Sequence, residues 1–305
     1  MKHRLCNRRQ FVRASAALAG TALLSPWAPS NSRAAAPAVK RTAADQVTLG
    51  KTGLKLSRLG FGTGAQGATQ RSLGKDFFTN LVHYAYDHGI TYLDCAERYP
   101  TYDWMGDVIK GLPREKLFIQ SKIAGQPADV LAAIDSQRKN FNTDYIDSLL
   151  IHSVSTGNWT DALKRVMDGY DQAKEKKWIR ARGVSCHSLP ALRAGAASDW
   201  TEVHLVRVNP QGKYTDGESG PGFSPSTTFD IAPVMQQIKL MHGKGHGVIA
   251  MKLIGNGLFT DPADREKAIR FVMACPDIDA AVISYTSTQQ IDEAIERINR
   301  ALAEV

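Results

Sequence analysis

Four side chains capable of proton chemistry stand at the ends of apolar runs in this sequence. "YLDCAERY" presents Asp94 and, five residues later, Tyr99; "LFIQSKI" presents Lys122; "SLLIHSV" presents His152. A phenol with a pKa near 10 is a weak acid at neutral pH, and an ammonium beside it favours the phenolate. A buried ammonium needs a carboxylate to stay charged, a role for Asp94 toward Lys122. The His152 imidazole can hydrogen-bond a carbonyl oxygen held next to Tyr99. Together these groups would protonate a carbonyl oxygen, or deprotonate an alcohol, while a hydride moves at the adjacent carbon. None of them is a hydride source, so a nicotinamide cofactor must supply it. A glycosidase would need a second acid on another strand end, and Asp94 has only Glu97 in its own loop.

The elements that must position these groups follow a regular alternation. Apolar runs at 58–62, 90–95, 117–122, 148–152, 181–185, 203–208, 247–253 and 280–284 read as strands. Amphipathic helical patterns lie between them, such as "SLGKDFFTNLVHYAYDHG" with Phe77, Leu81, Tyr84 and Ala85 on one face. Eight strand–helix units predict a (β/α)₈ TIM barrel over residues 46–305, in which reactive groups gather where the strands end. "VTLGKTGLKLSRLG" predicts a β-hairpin ahead of it, turning at Lys51-Thr52-Gly53.

Composition narrows the function further. Hydrophobic content of 43% and charged content of 22% are those of a folded soluble chain. Six of the eight excess positive charges lie in residues 1–34, which contain no acid. The nearly neutral remainder has no basic stripe for nucleic acid. Residues 1–34 combine Arg8-Arg9, Phe11 and Val12 with a short apolar stretch and small residues Ser32 and Ala34. They read as a twin-arginine-type signal cleaved after Ala34, followed by a linker over 35–45. Export to the periplasm by the twin-arginine machinery is the expectation; a basic tail is the plain alternative. No segment is long and apolar enough for stable membrane insertion. Cys95, Cys186 and Cys275 suggest neither a disulfide framework nor a metal site.

The same residues resemble the aldo-keto reductase family across about residues 45–305. "YLDCAERY" is similar to the family's Asp-x-Ala-x-x-Tyr signature, and "LFIQSKI" and "LLIHSV" resemble its lysine and histidine strands. "LGFGTG" (59–64) resembles the first barrel strand and "RGVSCHS" (182–188) the fifth. The resemblance implies a (β/α)₈ barrel, NADP(H)-dependent carbonyl reduction (with NAD(H) the alternative cofactor) and Tyr99 as proton donor. Gly62, Thr63, Ser185, Arg207, Lys252, Gly257, Thr286, Ser287 and Gln290 become cofactor-binding candidates. Thr286 and Ser287 precede a predicted helix whose N-terminus attracts phosphate.

The cofactor side departs from the family's pattern. Cys186 follows Ser185 where asparagine is usual, and Arg207 stands where a glutamine is usual. Lys252, Leu253 and Ile254 replace a Ser-Pro-Leu turn. Ala294 replaces an asparagine, and no arginine near Thr286 offers to clasp a 2′-phosphate. Arg98, Trp104 and Trp159 are expected at the mouth, favouring a polar, sugar-like carbonyl or alcohol substrate. The Gly/Pro/Ser-rich segment 209–230 reads as a lid, or equally as simple disorder. Ending directly after the last helix implies an open mouth. Export of a folded protein with a cytoplasmic cofactor implies that the cofactor is bound beforehand and retained. The altered cofactor positions also leave open a binding protein that has lost turnover.

Overall fold

The computed structural model describes residues 41–218, 220–221 and 226–305. The stretch expected to be a signal (1–34), with Cys6, and most of the expected linker (35–45) lie outside the described residues. Strands β1 (Gln46–Thr48) and β2 (Lys55–Ser57) form the expected hairpin. Gly53 turns it with a φ of 71°, a left-handed conformation that glycine adopts without strain.

Eight parallel strands follow: β3 (Leu59–Gly62), β4 (Tyr92–Asp94), β5 (Phe118–Ala124), β6 (Ile146–Val154), β7 (Ile179–Cys186), β8 (Val203–Arg207), β11 (Gly247–Met251) and β12 (Ala280–Ser284). They close into one barrel, β12 pairing with β3. Between β8 and β11, the short pair β9 (Asp216–Gly217) and β10 (Gly220–Pro221) gives the 209–230 segment some order. Helices α1 (Gly67–Ser72) and α2 (Lys75–Asp87) follow β3, and α3 (Met105–Val108) follows β4. After β5 and β6 come α4 (Val130–Asn140), α5 (Trp159–Ala162) and α6 (Lys164–Glu175). The ring is completed by α7 (Leu189–Ala197), α8 (Ala232–Gly243), α9 (Pro262–Met273) and α10 (Thr288–Ala303).

Side-chain alternation divides each strand between two cores. Leu93, Ile119, Leu149 and Ile151 point outward into the layer shared with the helices. Tyr92, Phe118, Leu150, Leu205, Ile249 and Val282 fill the barrel interior. Leu49, Leu54 and Leu56 of the hairpin belong to that interior cluster and close its floor. Burying each contributes about 1.5–3 kcal/mol. The predicted face of α2 is corrected: Phe77 is 44% exposed, while Phe78, Leu81, Val82 and Ala85 are buried. An i, i+3, i+4, i+7 stripe starting at Phe78 packs better than one starting a residue earlier.

The same alternation places polar groups inside the mouth. Two residues beyond inward Tyr92 is Asp94; beyond Phe118 come Gln120 and Lys122; beyond Leu150 comes His152. Asp94 pairs in register with Gln120, and Gln120 with Ser148. The C-terminal end of the barrel is therefore lined by a polar ring standing on an apolar floor.

Candidate active site

Lys122 is fully buried, and its Nζ donates to Asp94 Oδ1 at 2.7 Å and to the Cys95 carbonyl at 2.8 Å. Gln120 Nε2 also donates to Asp94 Oδ1 at 2.8 Å, and Gln120 Oε1 accepts from Ser148 Oγ at 3.2 Å. Thr63 Oγ1 and N both donate to the Asp94 carbonyl, fastening β3 to β4. Desolvation opposes charge on Lys122, but Asp94 and then Tyr99 outweigh it and hold the ammonium above its ordinary pKa. The cation is secured.

Its Nζ also lies 4.8 Å from the centre of the Tyr99 ring. Burial raises the Tyr99 pKa more than Lys122 lowers it, so the net shift is upward. This corrects the expectation that the ammonium beside it lowers the phenol's pKa overall. The phenol is thus held in its protonated form with an ammonium beside it. His152 meets the Tyr99 ring edge-on at 5.5 Å. Burial first, then Lys122, Arg98 and Lys252, push its pKa down to about 3. A neutral imidazole can donate one hydrogen bond but is not the acid. Cys95, pushed up to about 12 by burial, remains a thiol.

A groove leaves this mouth. Its inner part is lined by Gly62, Asp94, Tyr99, Lys252, Asn256 and Gly257. The outer part, an empty volume of about 940 Å³, is lined by Gly257, Thr286, Gln290, Glu293, Ala294, Arg265 and Arg297. Ser287 caps α10, its Oγ accepting from the Gln290 N–H at 3.4 Å. Gln290 Oε1 accepts from the Thr286 N–H at 2.8 Å. Arg265 and Arg297 approach from α9 and α10, and both Nε atoms donate to Glu293 Oε1 at 2.8 Å. The reading that no arginine stands at this end is thus corrected: Arg265 comes from α9, and Arg297 from farther along α10 than the loop at Thr286.

Other candidates fall elsewhere. Ser185 is buried, with Oγ 3.5 Å from His187 Nε2. Arg207 does not present a free guanidinium: its Nε donates to Asp216 Oδ1 at 3.0 Å, and both side chains are fully buried. Burial raises the Asp216 pKa to about 6 despite Arg207. Arg98 is exposed on the rim. Trp104 packs against Phe78 beneath the Arg71 guanidinium and does not line the groove. Trp159 is fully buried, donates to the Ala191 carbonyl at 3.1 Å and packs edge-on to Trp200. The expectation that it borders the mouth is corrected; as the first residue of α5 it turns into the helix layer.

Gln120, Asn256, Arg265, Arg297 and Asp216 were missed by sequence reasoning. Only Gln120 carried a signal, being an amide two residues before Lys122 on the same strand face. Among the described residues no cluster of side chains could hold a metal ion, no helix is long and apolar enough to cross a membrane, and Cys95, Cys186 and Cys275 are free.

Comparison with known proteins gives one consistent answer. The profile described as Aldo/keto reductase family matches residues 58–304. Glycerol 2-dehydrogenase (NADP(+)) of Hypocrea jecorina is 34% identical over 176 residues, which is 47% of this chain and 52% of that protein. L-galactose dehydrogenase of Arabidopsis thaliana is 22% identical over 291 residues, 82% of this chain and 86% of that protein. An aldo/keto reductase of Klebsiella pneumoniae, solved with NADP and acetate, superposes with a TM-score of 0.63 at 17% identity, covering 84% of this chain and 89% of that one.

Proposed function

Because this chain belongs to the aldo/keto reductase family of oxidoreductases, we propose that it interconverts a carbonyl and an alcohol at Tyr99, using a nicotinamide dinucleotide held in the groove. The observation that carries this is the Lys122 ammonium, bonded to Asp94 at 2.7 Å and set over the Tyr99 ring.

The residues present fit such a cofactor. The groove runs unbroken from Tyr99 to Thr286 because Gln66, Ile254, Gly257, Ile283 and Ser284 line both of its parts. Glycines keep its floor open, since a Cβ on Gly257 would lie 2.7 Å from Gln66 Nε2 and one on Gly62 2.7 Å from Ser284 Oγ. The cofactor, when bound, supplies or accepts the hydride.

The chain's own residues do the rest. Tyr99 gives its proton to the carbonyl oxygen, and Lys122 stabilises the phenolate, as a charge placed where charge develops should. Asp94 and Gln120 keep Lys122 in place. His152, neutral, holds the carbonyl oxygen by a hydrogen bond; its buried Nδ1 has no partner among the described residues. Thr286, Gln290 and the Ser287-capped helix start would face the adenosine end, with Arg265 and Arg297 favouring NADP(H) over NAD(H) through a 2′-phosphate. The relatives' names support this preference. A polyol or sugar-like substrate is consistent with glycerol and L-galactose as substrates of relatives.

The twin-arginine-type segment motivates two further parts of the proposal: the protein is exported to the periplasm, and it carries its cofactor with it. The Arg207–Asp216 pair, standing where the family has a glutamine, favours a second reading in which the barrel binds but no longer turns over. Denaturing the purified protein and assaying released NADP(H) and NAD(H) tests retention. Carbonyl reduction by wild type and Tyr99→Phe then separates the readings. Turnover lost in Tyr99→Phe with cofactor still bound supports the enzyme; no turnover in wild type supports the binding barrel.

A further inference from the structure

Lys252 occupies an unusual backbone and electrostatic position. It follows β11 directly, with a φ of 63°, and Asn256 has a φ of 58°. Left-handed conformations at non-glycine residues are strained and concentrate at functional sites. Gly255 and Gly257, at 57° and 96°, complete a turn that folds Asn256 back onto the lysine. Lys252 Nζ donates to Asn256 Oδ1 at 2.6 Å, and the Lys252 carbonyl accepts from Asn209 Nδ2 at 3.0 Å. Asn256 thus holds the ammonium, and Asn209 holds the backbone that presents it.

Among the described residues, three cations stand inside this mouth. Lys122 has Asp94 and Arg207 has Asp216. For Lys252, no carboxylate lies within ion-pair distance among the described residues; an amide oxygen is its acceptor. A largely desolvated ammonium without a counter-charge is costly unless an anion completes the site. The groove that Lys252 lines runs from Tyr99 toward Thr286 and Gln290. The anion that joins the two ends of a dinucleotide would have to pass between them.

We infer that Lys252, presented by the left-handed turn 252–257, is an anion anchor that binds the pyrophosphate of the dinucleotide, and that binding depends on its protonation. This rests on the groove being the cofactor's, and deepens that reading by naming the charge that holds the cofactor. Several groups face Lys252: Asp94 from β4, Tyr99 from the following loop, Lys122 from β5, His152 from β6, His187 beyond β7, and Arg207 from β8 with its partner Asp216. Burial, then Arg207 and Lys122, lower the Lys252 pKa to about 8, with Asp94 opposing. Both imidazoles are neutral and Tyr99 stays protonated in that range, while Asp216 titrates near 6. Of this set, Lys252 is the group that changes charge between pH 7 and 9.

Isothermal titration with ADP-ribose tests the inference, because this probe has the pyrophosphate, lacks the nicotinamide and has no group titrating between pH 6 and 9. Protein stripped of carried cofactor would be titrated at pH 7, 8 and 9, with NADPH binding measured in parallel. Wild type should bind about tenfold more weakly at pH 9 than at pH 7, taking up a fraction of a proton at pH 8. Lys252→Met should bind at least tenfold more weakly at pH 7 and lose the pH dependence. Lys252→Arg, permanently charged, should recover affinity at pH 7 while also losing the dependence. Equal affinities and equal pH dependence in wild type and Lys252→Met overturn the inference while leaving the cofactor reading intact. An unchanged ADP-ribose affinity with a raised KM for an anionic carbonyl also overturns it, assigning the lysine to substrate. Failure of wild type to bind either ADP-ribose or NADPH overturns both.

Discussion

Asp94 accepts a 2.7 Å hydrogen bond from Lys122 Nζ across the boundary between two adjacent barrel strands, and both side chains are almost wholly withdrawn from water. The pair is separated by 28 residues in sequence. It positions the ammonium for Tyr99 and also creates a liability, since either partner alone is a buried unpaired charge.

Lys122→Met should therefore cost about 3–5 kcal/mol of stability, because Asp94 loses its counter-charge. Turnover should fall by about 10²–10⁴-fold as the phenolate loses its stabilising cation. Urea unfolding together with kcat at saturating substrate measures both. A variant as stable as wild type would show that Gln120 suffices to satisfy Asp94.

Gly64 tests the placement of the phenol. A Cβ there would lie 2.6 Å from Tyr99 Cζ and 2.9 Å from its hydroxyl oxygen, so the ring must move. Gly64→Ala should lower kcat by about 10²-fold through misplacement of the donor. Cofactor affinity should be nearly unchanged. Equal kcat in the variant would mean that Tyr99 is not the proton donor in this position.

Acid should weaken the fold through its buried histidines. Burial, reinforced by nearby cations, lowers His152 to about 3 and His187 to about 2, and burial also lowers His204. Below the ordinary value of 6.5 the unfolded chain takes up protons that these folded imidazoles refuse. Stability is therefore full above pH 6.5 and declines toward pH 3, by at most about 1.4 kcal/mol per unit per histidine. Asp216, raised from 3.8 to about 6, works in the opposite sense between those values. Denaturant midpoints at pH 7, 6 and 5 should fall in wild type and fall less in His204→Gln. In NMR titration, a His152 ring midpoint near 6.5 would contradict the neutral imidazole.

Trp159 separates packing from substrate contact. Its indole is fully buried against Trp200 and bonded to Ala191. Trp159→Ala should destabilise by about 3–5 kcal/mol and leave KM unchanged at a temperature where the variant is folded. A raised KM without destabilisation would return this residue to the mouth.

By itself, the sequence determined the barrel and the chemical quartet. Eight apolar runs of strand length, each followed by a helical pattern, allow few closed topologies. Asp94, Lys122 and His152 were legible as polar residues that close apolar runs of strand length, and alternation along the strand gives them the inward face. Period-two alternation is a local property and survives without any knowledge of neighbours. The tertiary structure alone decided which distant groups meet. Glu293 on α10 meets Arg265 from α9, Asp216 returns from a Gly/Pro-rich segment to cover Arg207, and Trp159 turns away from the mouth. None of these leaves a periodic trace, because each depends on strand register and loop path across separations that local pattern does not encode. The net acidity of Tyr99 belongs to the same class. Whether burial or Lys122 prevails is set by how much water the closed barrel excludes, and in this fold burial prevails.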